Sequence, residues 1–291
     1  MAASTTSLQR TYRYVRIGIA ATVGVILVAV IVASVQMGTV WPSLSAYYYS
    51  SAGGLFVGAL IAASLGILAL SGRGTDRALL DAAGLLAPLI ALVPTPVVAG
   101  TLTGYVPCDA ATRCTPSIED RTGVGIVTYV IIGLAVWLIA VLVNRRTPRA
   151  PDVTDSLVLS PLILLLVLMA WLAEPEGFLA EAHLASAGAF FVLIAIVAIR
   201  GPLPVDGEYD ALPGVRRAYR VVGVLMAIDV AALVLGVVTG WPGPLFPWFV
   251  LTGEAVALVL FGAFWILQST RTWNEPNPAR QSPPDRHKLG P

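Results

Sequence analysis

Glu254 stands inside WFVLTGEAVALVLFGAFWILQ (residues 248–268), an otherwise apolar run long enough to cross a bilayer. Asp229 is placed in the same way in the run before it, 218–239. An acid at mid-span costs about 2.5–3.5 kcal/mol on insertion scales, which flanking Leu, Val, Phe and Trp offset. Both carboxyl groups are therefore expected to face protein rather than acyl chains. No Lys or Arg lies at matching depth, so each must be protonated, hydrogen-bonded, hydrated or cation-bound. They could bind a ligand, couple transport to a proton or cation, or serve as hydrogen-bonding glue between helices.

His183 and Ser186 add a different possibility. Their spacing puts them on one helical face one turn apart, where a base and a nucleophile could meet. No recognised nucleophile motif surrounds them, so hydrolysis is the weakest of the readings, and helix capping serves His183 equally well. Counting at about 1.5 Å per residue places Glu254 roughly 9 Å, His183 roughly 3 Å and Ser186 roughly 8 Å below the outer interface, with Asp229 roughly 16 Å down. Tyr48 and Thr95 fall in the same leaflet, whereas the inner half offers Asp81, four residues after Arg77, where it complements a helix start and pairs with that arginine.

The elements that must position these groups are membrane helices. The chain has 291 residues, 57% hydrophobic and 12% charged, with a mean hydropathy of +0.81, too few charges to cover a soluble domain of this size. Windows of about 20 apolar residues give an all-α, polytopic bundle of eight spans, at 16–37, 51–71, 79–100, 123–144, 157–173, 182–200, 218–239 and 247–267. They divide the chain into an N-terminal segment (1–15), a transmembrane domain (16–267) and a Pro-rich, polar tail (268–291) expected to be disordered. The first span is expected to be a retained anchor rather than a cleaved signal.

Arginine placement orients the bundle. Of 18 basic residues, only Arg113 and Arg121 fall in loops that are outside when the N-terminus is inside. That asymmetry predicts cytoplasmic termini and a plasma-membrane location. Lys288 is the one lysine, and such arginine bias with abundant Ala, Gly and Pro is the composition of a GC-rich bacterial genome. Cys108 and Cys114, in PCDAATRC, lie in the longest exterior loop, where a short disulfide is expected; two cysteines without a nearby histidine do not make a zinc site. With two histidines in the chain, a zinc hydrolase built on three membrane histidines is also excluded. Neither metal nor cofactor is expected.

Three features bear on packing. Ser50, Gly54, Gly58, Ala62 and Gly66 recur every four residues and predict a close helix contact. Pro88, Pro94 and Pro96 predict a break in the outer half of the third span. Trp41 and Tyr47 to Tyr49 read as interfacial belt residues. No internal duplication relates the first four spans to the last four, which counts against a repeat-built transporter.

The run PSLSAYYYSSAGGLFVGALIAASLGILAL, with APLIALVPT, HLASAGAFF and GEAVALVLFGAFW, resembles segments of poorly characterised bacterial multi-pass membrane proteins. The first run is also similar to the start of the Frag1/DRAM/Sfk1 group, in Pro42, Ser43, Leu44, Ser45 and Phe56. That resemblance implies a non-enzymatic role in lipid or membrane organisation. The expected function is thus an outward-facing polar pocket, lined by Glu254, Asp229, His183, Ser186, Tyr48 and Thr95, that binds a lipid headgroup or small ligand. A proton- or cation-coupled transporter and an intramembrane hydrolase are the alternatives. Membrane lipids and a small molecule or cation are the expected partners, and nucleic acid is not.

Overall fold

The computed structural model describes residues 7–71, 74–97, 102, 118–146, 154–201 and 213–271. These form eight α-helices and no strand among the described residues: α1 (Ser7–Met37), α2 (Gly53–Leu70), α3 (Gly74–Leu92), α4 (Ile118–Arg146), α5 (Thr154–Ala173), α6 (Pro175–Arg200), α7 (Pro213–Thr239) and α8 (Phe249–Arg271). A 3-10 helix, Ser45–Tyr49, sits between α1 and α2. Cys108, Cys114 and the tail after Arg271 lie outside the described residues.

Seven of the helices are long and apolar enough to cross a membrane, which makes the fold that of a multi-pass membrane protein. The exception is α3, whose first two turns carry Asp76, Arg77 and Asp81. It tolerates them because it is the central helix, with Leu80, Ala83, Ala87 and Ala91 fully buried, so its sides meet protein instead of lipid.

Six helices close a ring in which α1 packs on α2, α2 on α3, α3 on α6, α6 on α7, α7 on α8 and α8 back on α1. Its core runs from Ile19 and Phe56 through Ile67, Leu80 and Ile194 to Tyr219, Phe264 and Trp265. The α4/α5 pair stands outside this ring, with α5 packed on α3 through Leu89, Val93, Leu164 and Trp171.

Two expectations about packing are corrected and a third, the proline break, is met. The small-residue row on α2 does not form a seam, since Gly54, Gly58 and Ala62 are exposed and only Gly66 meets another helix, at Ile19. Five residues at intervals of four rotate roughly 160° around a helix, so they cannot share a face. The break expected in the outer half of the third span is present, since α3 stops at Leu92, ahead of Pro94 and Pro96. Finally, Trp41 and Tyr47 are core rather than belt, at 3% and 0% exposure.

Candidate functional site

The segment joining α1 to α2 explains why Glu254 is where it is. Gly38, at φ +66°, closes α1 with a Schellman pair: its own N–H bonds the Val35 carbonyl and the Thr39 N–H bonds the Ser34 carbonyl. The chain then turns back into the bundle. Tyr47 is buried with its hydroxyl against Ser34 Oγ at 2.5 Å, where it also accepts the Trp41 N–H at 3.0 Å. The following 3-10 helix begins with N–H groups that have no partner within it. Ser43 Oγ accepts the one from Ala46 at 3.1 Å. Glu254 accepts the others: the Leu44 N–H at 2.5 Å and the Ser45 N–H at 3.4 Å on Oε2, and the Ser45 hydroxyl at 2.8 Å on Oε1.

The clamp works in both directions. One turn before Glu254, the Leu251 N–H at the start of α8 donates to the Pro42 carbonyl at 2.9 Å. Orphan donors of two helix starts are thereby satisfied by each other's segments.

Three of the prolines in or after the helices, Pro88, Pro161 and Pro96, have a carbonyl four residues upstream that lacks their N–H as a donor. A side chain from another helix answers each. For Pro88 it is the Ser64 hydroxyl, 2.6 Å from the Gly84 carbonyl; for Pro161 it is Trp137 Nε1, 2.7 Å from the Leu157 carbonyl. For Pro96 it is the Thr122 hydroxyl, 3.4 Å from the Leu92 carbonyl. Beside Pro94, His183 bonds through Nδ1 to the Val93 carbonyl at 2.7 Å. A carbonyl can only accept, so Nδ1 carries the proton. Past the break, the Tyr49 hydroxyl donates to the Thr95 carbonyl at 2.8 Å. Backbone freed inside a membrane persists only where protein completes it, and here protein does.

Glu254, Ser45, His183 and Thr22 therefore meet at one small cavity of about 60 Å³, otherwise walled by apolar groups such as Phe56 and Phe190. At about 30 Å³ per water it holds two of them, far below the roughly 300 Å³ at which ligand sites begin. Asp229 and Ser186 are not in its wall. Ser186 is buried one turn from His183, and Asp229 is part-buried on α7 with Oδ2 lacking a partner among the described residues. Tyr48 and Thr95 are half-buried and lie outside the wall too, Tyr48 edge-on to Tyr49 at 5.3 Å.

A second, much larger cavity lies where sequence reasoning looked least, between α2 and the α4/α5 pair with α3 as its floor. It measures about 880 Å³. Because α4 rests mainly on α5 and makes no substantial contact with α2, a groove runs along it from Val124 to Asn144, roughly 30 Å. Its walls are chiefly apolar, with Leu65, Ile132, Val136 and Leu164 among them. Arg77, Asp81, Asn144, Ser156 and Ser160 stand toward the starts of α3 and α5 and the end of α4. Of the other polar lining residues, Ser64, Tyr129 and Trp137 are bonded to backbone carbonyls and Thr128 lies nearer the start of α4. Arg77 Nε and Asp81 Oδ2 form the expected pair, at 3.3 Å. The polar inventory of this half thus exceeds Asp81: hydropathy windows pass over Ser and Asn, and only the gap between α2 and α4 brings them to one place.

Compared with protein-family models, curated proteins and solved structures, the chain finds no match. Geometry and chemistry alone carry the functional reading.

Proposed function

We propose that this is a non-enzymatic lipid-binding protein of the bacterial plasma membrane, with its termini cytoplasmic, that holds an acyl chain in the groove between α2 and α4. The observation that carries the reading is the groove itself: about 880 Å³, mostly apolar and polar at one end, within the range of roughly 300–1,000 Å³ that ligand sites occupy. The outer cavity is a poorer candidate. It has room for water, and the Glu254 carboxylate there already accepts three hydrogen bonds. Transport coupled to both acids would need them on one path, whereas Asp229 is not in the wall that contains Glu254. Hydrolysis by His183 and Ser186 meets a similar objection, since Ser186 is not in the cavity wall that contains His183.

The test is native mass spectrometry after exchange into a delipidating detergent. Wild-type protein is expected to retain one long-chain amphiphile per chain. Ala140 faces the groove and is exposed, so Ala140→Trp fills space there without entering the core. Occupancy should fall about tenfold or more in that variant, the equivalent of an overpacking cost of about 1–3 kcal/mol. Wild-type protein that emerges without bound amphiphile, or a variant that retains it equally well, would sink the proposal.

A further inference from the structure

We propose that the polar end of the groove selects an uncharged, hydroxyl-bearing lipid head on a single chain, the chemistry of a monoacylglycerol, through Arg77, Asp81, Asn144, Ser156 and Ser160. This rests on the acyl-chain reading above and adds the head to it.

Charge balance makes the first argument. Arg77 and Asp81 both line the groove and bond to each other, so together they contribute no net charge. A phosphate placed there meets the Asp81 carboxylate, and an ammonium meets the Arg77 guanidinium. A head of a single charge therefore meets a like charge beside its opposite one, so the pair offers it no net attraction unless the existing bond is broken. A hydroxyl faces neither penalty, because it both donates and accepts.

Hydrogen-bond accounting makes the second. Ser156 is 7% exposed and lines the groove, yet its Oγ has no partner among the described residues. A buried polar atom left unpaired costs about 1–3 kcal/mol, which a ligand hydroxyl at this position would recover. Asn144 and Ser160 supply further groups able to donate and to accept. Size is in keeping with this, since about 880 Å³ gives room for one long chain with a glycerol head.

The experiment is competitive displacement of a fluorescent single-chain probe from the full-length protein in detergent. The competitors are monooleoylglycerol, oleoyl lysophosphatidate and oleylamine, which share an eighteen-carbon chain and carry an uncharged, an anionic and a cationic head. Monooleoylglycerol should displace the probe at about tenfold lower concentration than either charged competitor. Ser156→Ala should shrink that advantage several-fold without lowering the unfolding temperature, because the hydroxyl it removes has no partner to lose. Asp81→Asn should move the preference toward the phosphate, since it removes the carboxylate that would repel it. Equal displacement by all three would overturn the head assignment while the acyl-chain reading stands, and tighter binding of either charged competitor to wild-type protein would do the same. If no competitor displaces the probe, both fall together.

Discussion

Trp137 Nε1 and the Leu157 carbonyl, 2.7 Å apart, show how single residues carry this structure. The bond matters because Pro161 lacks the N–H that would otherwise serve that carbonyl. Trp137→Phe should therefore destabilise the protein by about 0.5–1.5 kcal/mol, read as a lowered unfolding temperature in detergent. Pro161→Ala restores a backbone donor, so the same Trp137→Phe change made in that background should cost much less. A double-mutant cycle with no coupling would disprove the compensation. Glu254 makes the companion case. Glu254→Ala strands the Leu44 and Ser45 N–H groups and should cost about 1–3 kcal/mol, with Glu254→Gln in between because its amide oxygen can still accept. Equal stability of all three proteins in a thermal melt would remove the clamp from the argument.

At the level of elements, Gly66 apart, the close helix contacts are not at the row of small residues that periodicity brings to notice. Gly54 and Gly58 on α2 have open space where a side chain would be, whereas a Cβ on Gly223 of α7 would lie 2.8 Å from the Ala195 carbonyl oxygen and the Ile199 backbone nitrogen of α6. Those atoms belong to helix backbone and cannot turn aside. Gly223→Ala should thus force α6 and α7 apart at about 1–3 kcal/mol, while Gly58→Ala should be near neutral. Comparing the two unfolding temperatures checks this directly, and equal effects would contradict the packing described. Helix boundaries were legible beforehand, because α2, α4, α5 and α7 begin and end within a few residues of their hydropathy windows. The end of α3 was not: proline marks a break, but whether the chain continues past it depends on who receives the freed carbonyls.

Across the whole molecule, the helices divide into a closed ring and an attached pair, and the gap between them is the proposed lipid site. The two ends of the bundle also differ. Near the helix starts and ends that carry most arginines, Arg200 Nε pairs with Asp76 at 3.2 Å and the Tyr219 hydroxyl donates to Gln268 at 2.6 Å. The opposite end is held by the Glu254 clamp and the proline-break contacts. If the arginine-bearing end is cytoplasmic, a C-terminal reporter that fluoresces only in the cytoplasm should be active and an alkaline phosphatase fused there inactive. The reverse pattern would invert the molecule and place the head end of the groove outside.

What the sequence by itself determined is the solvent and the elements. Long apolar windows separated by short charged segments require membrane helices, since an unpaired backbone is too costly in hydrocarbon for any other open chain. It also marked Glu254, Asp229 and His183 as residues needing an explanation, and the Arg77–Asp81 pair at its helical spacing. Only the tertiary structure decided which partner each received. A proline names an orphan carbonyl four residues upstream, yet Ser64, Thr122 and Trp137 come from other helices that no local pattern connects to it. Likewise Glu254 meets Leu44 and Ser45 across some 210 residues of chain, and Asp229, one helix before it, does not join them. Helix formation depends on neighbours in sequence, whereas pairing of buried polar groups depends on which helices stand side by side. That arrangement follows from side-chain packing over the whole bundle.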